Sequence, residues 1–412
     1  MIALSRFIIV IITSILLVSF HFQKQKHYLI TSYGAVADTS KLNTAAIQKT
    51  IDKCAAEGGG TVVIPKGIFV SGSIFLKEKV NLHIAEGGVL KGSVNEADYP
   101  QIDSRWEGEE KKWTACLVNA IHLKNIKITG PGTIDGSGVE WTAKPRGSLH
   151  QGKPRLIGIQ NSNKVKISNL KLHNQASWGL FVLYSTDVEI NGLHITAAHN
   201  IPSSDGIDID SSKDIEIRNC YIDVNDDCIS IKSGKDEDGL RVNRPSENIT
   251  IEKCTFGYGH GGVAMGSETS GGIRNVLIKD CVAGKGNWAP IRFKSQPSRG
   301  GVVENITYQN FKLDSTRKAV EFNMAWRMVN PKPPAKVLPV VKNVQLINIT
   351  GNVAAIGDIR GFEGSPIQGI TFKNCNLTAQ KGLLIEHARN VDLAGLKMTV
   401  KEGEPITKKD VD

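Results

Sequence analysis

The sequence lacks the marks of several common protein classes. It contains no Cys-x-x-Cys motif and no paired cysteine and histidine spacing, which argues against a structural zinc site. No Pro/Ser-rich linker or block of like charge divides the chain, so we expect one elongated domain over residues 27–412. Aromatic residues make up only 6% of the sequence, whereas glycine occurs 41 times, a balance that suits many tight turns better than a helical bundle.

The N-terminal apolar run is too short to span a bilayer as a helix, which takes about 20 residues. It extends from Phe7 to Phe20, contains 14 residues and follows Arg6. This is the shape of a secretory signal peptide, so we predict that residues 1–22 direct export to the periplasm, the cell surface or the medium. No clear small-x-small cleavage site follows, and an uncleaved membrane anchor is the alternative for this segment.

A short strand-like pattern recurs along most of the chain. A polar residue is followed by an aliphatic, a polar and a second aliphatic or aromatic residue, and the first aliphatic positions lie 23, 27, 34, 27, 30, 38, 26 and 21 residues apart. This alternation predicts short strands with one buried face. A loose repeat of this length predicts a solenoid, whose turns bury their apolar faces by stacking. The copies begin at Lys164, Asp187, Asp214, Asn248, Asn275, Asn305, Asn343, Gly369 and Asn390.

The irregular spacing discriminates between solenoid types. Leucine-rich repeats need a fixed leucine frame that is missing here, and a propeller needs about four strands in each blade. A parallel β-helix tolerates loops of any length between its stacked strands, so we predict an all-β, single-stranded parallel β-helix. Thr44 to Ala56 carries a helical apolar stripe, with Asn43 or Thr44 as the N-cap. We expect this N-terminal helix to cap the open end of the solenoid.

Two sets of residues recur at equivalent places in the repeat. Cysteines at inward positions predict a ladder of small buried side chains rather than a disulfide framework. Asn-x-Thr sequences at the recurring ladder positions are interpreted as structural, not as glycosylation sites. The cysteines are Cys220, Cys254, Cys281 and Cys375, and the asparagines are Asn248, Asn305, Asn348 and Asn376.

Four stretches of the chain share one register, because in each of them two apolar residues alternate after a turn. They span residues 204–209, 226–231, 260–265 and 288–294. As successive rungs of a parallel stack they would lie about 4.8 Å apart. Asp205 then lies over Asp227, and Asp226 lies beside His260. Arg292 and Lys294 take the outward positions of the fourth rung.

The three aligned aspartates predict acid–base chemistry. Burying an unpaired carboxylate is costly, so we expect both Asp226 and Asp227 to face a groove along the stack. Inverting hydrolysis of a glycosidic bond uses one carboxylic acid to protonate the leaving oxygen and one carboxylate to activate water, at a typical separation of roughly 6.5–9.5 Å. We interpret Asp226 as the acid. Asp205 and Asp227 are the groups that hold and deprotonate the water.

These rungs resemble the motifs of family 28 of the glycoside hydrolases, the polygalacturonases and their relatives. The Asn-Thr-Asp, Gly/Gln-Asp-Asp, Gly-His-Gly and Arg-Ile-Lys segments of the family correspond here to residues 203–205, 225–227, 259–261 and 292–294. The resemblance covers essentially the whole mature chain. It implies a right-handed parallel β-helix that hydrolyses galacturonide bonds in an acidic pectic polysaccharide or oligosaccharide, without a cofactor or a metal.

The resemblance also implies a role for each residue. Asp226 would be the general acid, with Asp205 and Asp227 as the bases. His260 would support the acid. The cations Arg292 and Lys294 would bind the carboxylate of the uronate substrate, which suits paired charge-assisted hydrogen bonds.

The sequence departs from the family pattern in two places. Ser203-Ser204 stands where the family has Asn-Thr, and the rung from Lys318 to Asn323 lacks a tyrosine that the family often has. Glu321 on that rung is placed to pair with Arg292. These differences favour a modified or branched pectic chain as the substrate. Long excursions rich in charge, Trp and Pro could wall off the groove and favour removal of terminal residues; they span 99–112, 136–155 and 324–340.

Other residues near the rungs have a structural interpretation, either alone or beside a functional one. Asp208 and Asp210 follow the outward alternation, and we interpret them as surface or turn-capping residues. Lys232 occupies a strand position from which it could touch substrate. Trp178 aligns with Asp205 on the preceding rung, where it would either stack on a sugar ring or pack at the rim.

Two other functions stay open. A calcium-dependent pectate lyase shares the fold and the acidic substrate, but it abstracts a proton with a basic residue. A non-catalytic glycan-binding β-helix would make the aligned carboxylates accidental. The formal net charge of +9 suits an acidic polymer, and we expect a monomer that binds no nucleic acid.

Overall fold

The computed structural model describes residues 26–145, 147–149, 152–327 and 332–412. The predicted export segment, residues 1–22, lies outside these ranges. The described α-helices are α1 (Thr44–Ala56), α2 (Gly138–Thr142) and α3 (Asp236–Val242), and two short 3₁₀ helices span Ile30–Tyr33 and Glu96–Asp98. No helix among these residues is long and apolar enough to cross a membrane.

Strands make up most of the described chain. In chain order they are β1 (His27–Leu29), β2 (Gly60–Ile64), β3 (Gly67–Ser71), β4 (Ile74–Phe75), β5 (Val80–Ile84), β6 (Gly88–Gly92), β7 (Gln101–Trp106), β8 (Glu109–Thr114), β9 (Val118–Ile121), β10 (Lys124–Thr129), β11 (Thr133–Asp135), β12 (Ile157–Gln160), β13 (Asn163–Ser168), β14 (Lys171–His173), β15 (Leu180–Leu183), β16 (Thr186–Asn191), β17 (His194–Thr196), β18 (Ile207–Asp210), β19 (Lys213–Arg218), β20 (Tyr221–Asp223), β21 (Ile229–Lys232), β22 (Ser246–Glu252), β23 (Thr255–Phe256), β24 (Gly259–Met265), β25 (Ile273–Ala283), β26 (Asn287–Lys294), β27 (Val302–Asn323), β28 (Val340–Arg360), β29 (Ile367–Lys373), β30 (Cys375–Asp392) and β31 (Leu396–Val411).

The strands of successive coils pair in parallel and form three columns around one apolar interior. The column that we call the front sheet contains β12, β15, β18, β21, β24 and β26, followed by the C-terminal part of β27. A second column contains β13, β16, β19 and β22, and a third contains β14, β17, β20 and β23. The predicted all-β, right-handed parallel β-helix is confirmed. The hairpin β7–β8 is antiparallel and stands outside the large sheet.

The register of the front sheet is the one that the apolar pairs predict. Ile207 pairs with Ile229, Ile229 with Val263, and Val263 with Ile291. All four side chains are fully buried, so they form one aliphatic stack through the interior. A slip of one residue would turn these side chains outward, and their burial therefore fixes the register.

Polar and cysteine ladders support the stack from coil to coil. Asn275 donates a hydrogen bond to Asn248, and Asn305 donates one to Asn275, which agrees with a structural role for these asparagines. Asn348 belongs to a second ladder, which Asn374 rather than Asn376 continues. The four predicted ladder cysteines are free and buried, so that prediction is also confirmed.

Helix α1 covers the N-terminal end of the interior and has the predicted bounds. Its residues Ile47, Ile51 and Cys54 are fully buried against the first coils. Asn43 is the N-cap residue, but its side-chain oxygen accepts a hydrogen bond from the Val36 amide at 2.8 Å instead of capping the helix. The helix closes the apolar end of the solenoid, as solenoids require.

Candidate active site

The front sheet brings Asp205, Asp226 and Asp227 into one cluster. Asp205 precedes β18, and the other two precede β21, in turns that enter neighbouring rungs. The Gly206 amide donates to the Asp227 carbonyl at 3.0 Å, which holds the two turns in register. One carboxylate oxygen from each aspartate lies within 4.8 Å of the others. This separation is shorter than the range expected for an inverting pair of carboxylates.

Asp227 is buried between two cations. Lys294 Nζ lies 2.5 Å from its Oδ2 and Arg292 Nη1 lies 3.2 Å from its Oδ1. The expectation that Asp227 faces the open groove is therefore wrong, because the two cations of β26 compensate its charge inside the protein. Burial acts to raise the pKa of Asp227, but Lys294 and Arg292 outweigh it and hold this pKa well below its usual value.

Asp205 lies in a different electrostatic environment. It is only 4% exposed. Burial raises its pKa well above the usual value, and the carboxylates of Asp208 and Asp226 raise it further. Two neighbouring carboxylates whose pKa values are pushed in opposite directions are typical of acid–base sites, because one of them can hold a proton while the other stays ionised.

Asp226 is the half-buried member of the cluster and contacts His260. His260 Nδ1 lies 3.3 Å from Asp226 Oδ1, and the His260 amide donates to the Asp226 carbonyl at 3.0 Å. The hydrogen bond with Asp226 raises the pKa of His260. Asp226 and His260, which the sequence predicts to be neighbours on adjacent rungs, are thus in contact.

Glycines let the rung of His260 approach the carboxylates closely. A Cβ on Gly261 would lie 2.8 Å from Asp227 Oδ1 and 3.3 Å from Arg292 Cδ. A Cβ on Gly259 would lie 2.8 Å from Cys228 Sγ. Gly261 therefore leaves room for the Asp227 ion pairs, and Gly259 leaves room for the buried side chain of Cys228.

Glu321 shares Arg292 with the carboxylate cluster, as its position in the sequence predicts. Its Oε2 lies 2.8 Å from Arg292 Nε. Its Oε1 accepts hydrogen bonds from Trp288 Nε1 at 3.3 Å and from Lys318 Nζ at 2.8 Å. Arg292 is therefore held by a carboxylate on each side, and its charge is largely neutralised within the protein.

Trp326 completes this side of the site, and sequence reasoning did not single it out. Its ring lies 5.0 Å from the Arg292 guanidinium and 5.5 Å from Lys294 Nζ. The one sequence feature that points to Trp326 is its position in the charge- and Trp-rich excursion after β27. Nothing in the repeat pattern indicates that Trp326 packs beside the cations of β26.

A second layer of charge lies under the cluster and corrects the interpretation of Asp208 as a surface residue. Asp208 is fully buried, and its carboxylate lies 3.6 Å from Lys232 Nζ. Burial raises the pKa of Asp208 to about 8, although Lys232 and Arg155 act to lower it. Lys232 is itself buried and lies 3.1 Å from Glu268. Its contacts are therefore with these carboxylates.

The interpretation of Asp210 as a surface residue is wrong for a related reason. The hairpin β7–β8 covers the outward face of the sheet, and Arg105 Nη1 lies 2.7 Å from Asp210 Oδ1 with both side chains fully buried. Each charge compensates the other, so neither is buried alone.

The hairpin lies across the front sheet from one edge to the other. Trp106 stacks on Trp178, which precedes β15, with ring centroids 4.9 Å apart. Glu110 accepts a hydrogen bond from Tyr184, which follows β15. Gln160, at the end of β12, donates to the Asp103 carbonyl. The packing interpretation of Trp178 is therefore the better one, and the hairpin closes the groove on the N-terminal side of Asp205.

A right-handed parallel β-helix with clustered carboxylates and compensating cations on an outward groove defines a glycosidase of the polysaccharide-degrading class. The chain belongs to the glycosyl hydrolases family 28, whose family model matches residues 54–394. The predicted membership of family 28 is thereby confirmed.

The chain is similar to several named members of this family. It is 32% identical to a probable polygalacturonase of Vitis vinifera over 84% of this chain and 73% of that protein. It is 30% identical to an exo-poly-alpha-D-galacturonosidase of Dickeya chrysanthemi over 79% of this chain and 63% of that protein. A hyperthermoactive exopolygalacturonase of Thermotoga maritima has a similar structure, with a TM-score of 0.79 and 26% identity over 88% of this chain and 92% of that one. Endo-polygalacturonases match as well.

Proposed function

We propose that this polygalacturonase-type glycoside hydrolase removes residues from the end of an acidic pectic chain with inversion at the anomeric carbon. The hairpin across the front sheet is the observation that carries the exo assignment. The terminal sugar would lie beside Asp205, where β7–β8 closes the groove, and the rest of the chain would leave over the C-terminal rungs. The loop with Trp326 would form a side wall next to Arg292 and Lys294.

Asp226 is the proposed general acid. Its half-buried side chain reaches the groove, and its contact with His260 fixes its orientation. When the glycosidic bond breaks, the Asp226 proton goes to the leaving oxygen. Water attacks the anomeric carbon from the opposite face and gives its proton to a carboxylate of the cluster.

Asp205 and Asp227 are proposed to hold that water. Two oxygens that lie within 4.8 Å can both accept hydrogen bonds of about 2.8 Å from one water molecule. Asp205 is the proposed proton acceptor of this pair, because Lys294 and Arg292 already engage both oxygens of Asp227. Asp227 stays ionised against Lys294 and stabilises positive charge that develops on the sugar.

Inversion is proposed despite the short carboxylate separation, which is closer to the roughly 5–5.5 Å that is typical of retaining enzymes. Retention needs a carboxylate oxygen that can attack the sugar. Both oxygens of Asp227 are engaged by cations, and the side chains of Asp205 and Asp227 are almost fully buried. Neither carboxylate is placed to bond directly to the anomeric carbon, so water held by them is the proposed nucleophile.

The test uses the purified full chain with galacturonate oligomers and with rhamnose-containing pectic oligomers. We expect new reducing ends, no ultraviolet absorbance from unsaturated products, and short products alone from the start of the reaction. Proton NMR of the first product should show the anomer opposite to that of the substrate linkage. Early products of mixed length would overturn the exo assignment, and the same anomer as in the substrate would overturn inversion.

A chelator added to the same assay separates the hydrolase from a calcium-dependent lyase. The three clustered aspartates could hold a cation, but Lys294 and Arg292 already neutralise part of their charge and so weaken attraction for calcium. We expect unchanged activity with chelator. Absorbance that returns only with calcium would favour the lyase.

The Asp226→Asn variant distinguishes an enzyme from a non-catalytic glycan-binding protein. We expect kcat to fall by about 10²–10⁴, the usual contribution of a general acid, with substrate binding retained. The matched control is Asp187→Asn, an exposed aspartate with a φ of 57° that asparagine also adopts readily. An unchanged rate in Asp226→Asn would remove it from the mechanism.

We also propose that the chain is exported, as the N-terminal apolar run suggests, and that it acts as a monomer. Cell fractionation and mass spectrometry of the N-terminus test export and cleavage after residues 1–22. Light scattering of the purified protein tests the monomer.

A further inference from the structure

The outward face of the front sheet continues past the carboxylate cluster towards the C-terminal coils. Residues in register with Arg292 on the successive rungs are Glu321, Asp358, Leu384 and Thr407. Neighbouring rungs of a parallel sheet lie about 4.8 Å apart, so Leu384 lies roughly 14 Å beyond Arg292. A substrate that ends at the hairpin and leaves over the C-terminal rungs would pass this point.

A cavity of about 520 Å³ opens at this place, which we call the distal cavity. Its size falls within the range of about 300–1,000 Å³ that is typical of small-molecule sites. Leu384 lies on its floor, the segment with Glu402 and Glu404 lines one side, and Lys318 and Asp358 line the side nearer to Arg292. Gly357 lets its strand approach the neighbouring rung closely, because a Cβ there would lie 1.9 Å from the Val320 carbonyl oxygen.

The charges of the distal cavity disfavour a free uronate. Its lining contains the carboxylates of Asp358, Glu402 and Glu404 but only two lysines, Lys318 and Lys381. Lys318 is engaged by Asp358 at 2.5 Å and by Glu321 at 2.8 Å. A sugar carboxylate placed here would meet three carboxylates and two lysines, one of which is already paired.

The floor of the distal cavity favours an apolar group instead. Leu384 is half-buried and occupies an outward strand position, between Asp358 on one rung and Thr407 on the next. Its side chain offers an apolar surface to a group that enters the cavity. A methyl group on an uncharged sugar is the substituent that would gain from this contact.

We propose that the distal cavity is a substrate subsite for an uncharged, methyl-bearing sugar of the pectic chain, either a 6-deoxyhexose or a methyl-esterified uronate. This subsite rests on the proposed exo cleavage of a pectic chain. It names the kind of modified chain that the enzyme selects. The free acid of the polymer binds less well at this position because it lacks the methyl contact and adds a repelled charge.

The experiment compares the full-length protein with a Leu384→Asp variant on three sets of oligomers that reach the distal cavity. One set is fully de-esterified galacturonate, one is methyl-esterified away from the cleaved end, and one alternates rhamnose with galacturonate. Short oligomers that end before the cavity serve as the internal reference. The matched control is Leu277→Asp, which changes another half-buried outward leucine on a different face of the solenoid.

We expect kcat/KM of the unaltered protein to be roughly tenfold higher on one of the methyl-bearing long sets than on the de-esterified set, the scale of one well-placed apolar contact. Leu384→Asp should abolish this preference and leave short oligomers unaffected, whereas Leu277→Asp should change neither. Glu404→Gln should improve the de-esterified long set alone. The set that is preferred distinguishes the deoxy sugar from the ester.

Equal kcat/KM on all long sets, or an unchanged preference in Leu384→Asp, would overturn the distal subsite while leaving the hydrolase intact. If no oligomer is cleaved, isothermal titration calorimetry with the same oligomer sets tests the distal subsite independently of cleavage. A methyl preference in binding that Leu384→Asp removes would support the subsite and overturn the proposed function. Binding without any such preference would overturn both.

Discussion

The three clustered aspartates lie close together, but the charges that surround each of them are different. Lys294 and Arg292 stabilise the ionised form of Asp227, whereas burial and neighbouring carboxylates stabilise the neutral form of Asp205. The same residue type therefore serves opposite electrostatic purposes on adjacent rungs. The surrounding side chains, not the aspartates themselves, decide which of them can accept a proton.

Gly261→Ala tests how tightly the Asp227 ion pairs are packed. The new Cβ would lie 2.8 Å from Asp227 Oδ1, so the carboxylate must move away from Arg292. We expect kcat to fall by about a hundredfold while the circular dichroism spectrum stays that of the unaltered protein, because small displacements of reacting groups are costly. Gly284→Ala is the control, since its nearest neighbour, the Phe256 carbonyl oxygen, lies 3.7 Å away. Equal activity in the two variants would show that the rung of His260 is not closely fitted.

Asp208→Asn tests the raised pKa of the buried second layer. A pKa raised to about 8 in the folded state means that the stability from neutral Asp208 is fully present below its usual pKa and is lost as pH rises towards 8. Asparagine resembles the neutral form, and its amide cannot ionise. We therefore expect the Tm of the variant, relative to the unaltered protein, to increase between about pH 4 and pH 8.

Differential scanning calorimetry at several pH values measures this difference. The groups that face Asp208 are Lys232, Arg155, Glu268 and the carboxylates of Asp205 and Asp227, and they are the same in both proteins. A Tm difference that is constant with pH, or one that falls as pH rises, would contradict a raised pKa.

Among the elements, the hairpin β7–β8 covers the outward face of the front sheet and carries the proposed exo cleavage. The β-helix alone offers a groove that is open at both ends, and the hairpin covers it over β12, β15 and β18. Trp106 is the central contact, because it stacks on Trp113 of its own hairpin at 4.3 Å and on Trp178 of the sheet at 4.9 Å. The proposed exo cleavage requires that this hairpin, an insertion outside the repeat, closes one end of the groove.

Trp106→Ala should loosen this closure. Loss of two stacked pairs removes roughly 1 kcal/mol each beyond the buried area, while the solenoid beneath keeps its own core. We expect longer products to appear early in the digestion of a long substrate, measured by anion-exchange chromatography. Lys111→Ala, at an exposed hairpin position, is the control and should keep the short products. Unchanged products in Trp106→Ala would mean that the hairpin does not set the cleavage mode.

On the scale of the whole molecule, each rung both fills the core and positions the turn that precedes it. Ile229 is fully buried between Ile207 and Val263, two residues after Asp227. Ile251 is equally buried between Ile217 and Ile278, but it belongs to the second column, away from the site. The two isoleucines are therefore equally buried, but only Ile229 lies next to the turn that carries Asp226 and Asp227.

Ile229→Ala and Ile251→Ala should each lower the free energy of unfolding by about 2–5 kcal/mol, because each leaves a cavity. We expect only Ile229→Ala to lower kcat strongly at a temperature where both variants are folded, since its cavity lies under the carboxylate turn. Urea denaturation and steady-state kinetics measure the two effects. An equal loss of kcat in both variants would mean that the coils transmit such defects around the whole solenoid.

Local sequence patterns are sufficient to predict the solenoid, its register and the residues that meet at the carboxylate cluster. Period-two alternation and recurring turns encode these features locally, and a slip of one residue would expose every buried isoleucine of a rung. The bounds of α1, the cysteine ladder and the pairing of Glu321 with Arg292 follow from the same local information. Each of these features depends only on neighbouring coils.

Only the tertiary structure decided what covers the outward face. Alternation correctly places Asp208 and Asp210 on that face, but it cannot show that the hairpin with Arg105 buries them, because that contact joins residues 105 positions apart. The burial of Asp227 depends on Lys294, 67 positions away, and Trp326 belongs to a segment outside the repeat. Side-chain direction is a property of the strand, whereas burial and charge compensation are properties of whatever packs against it.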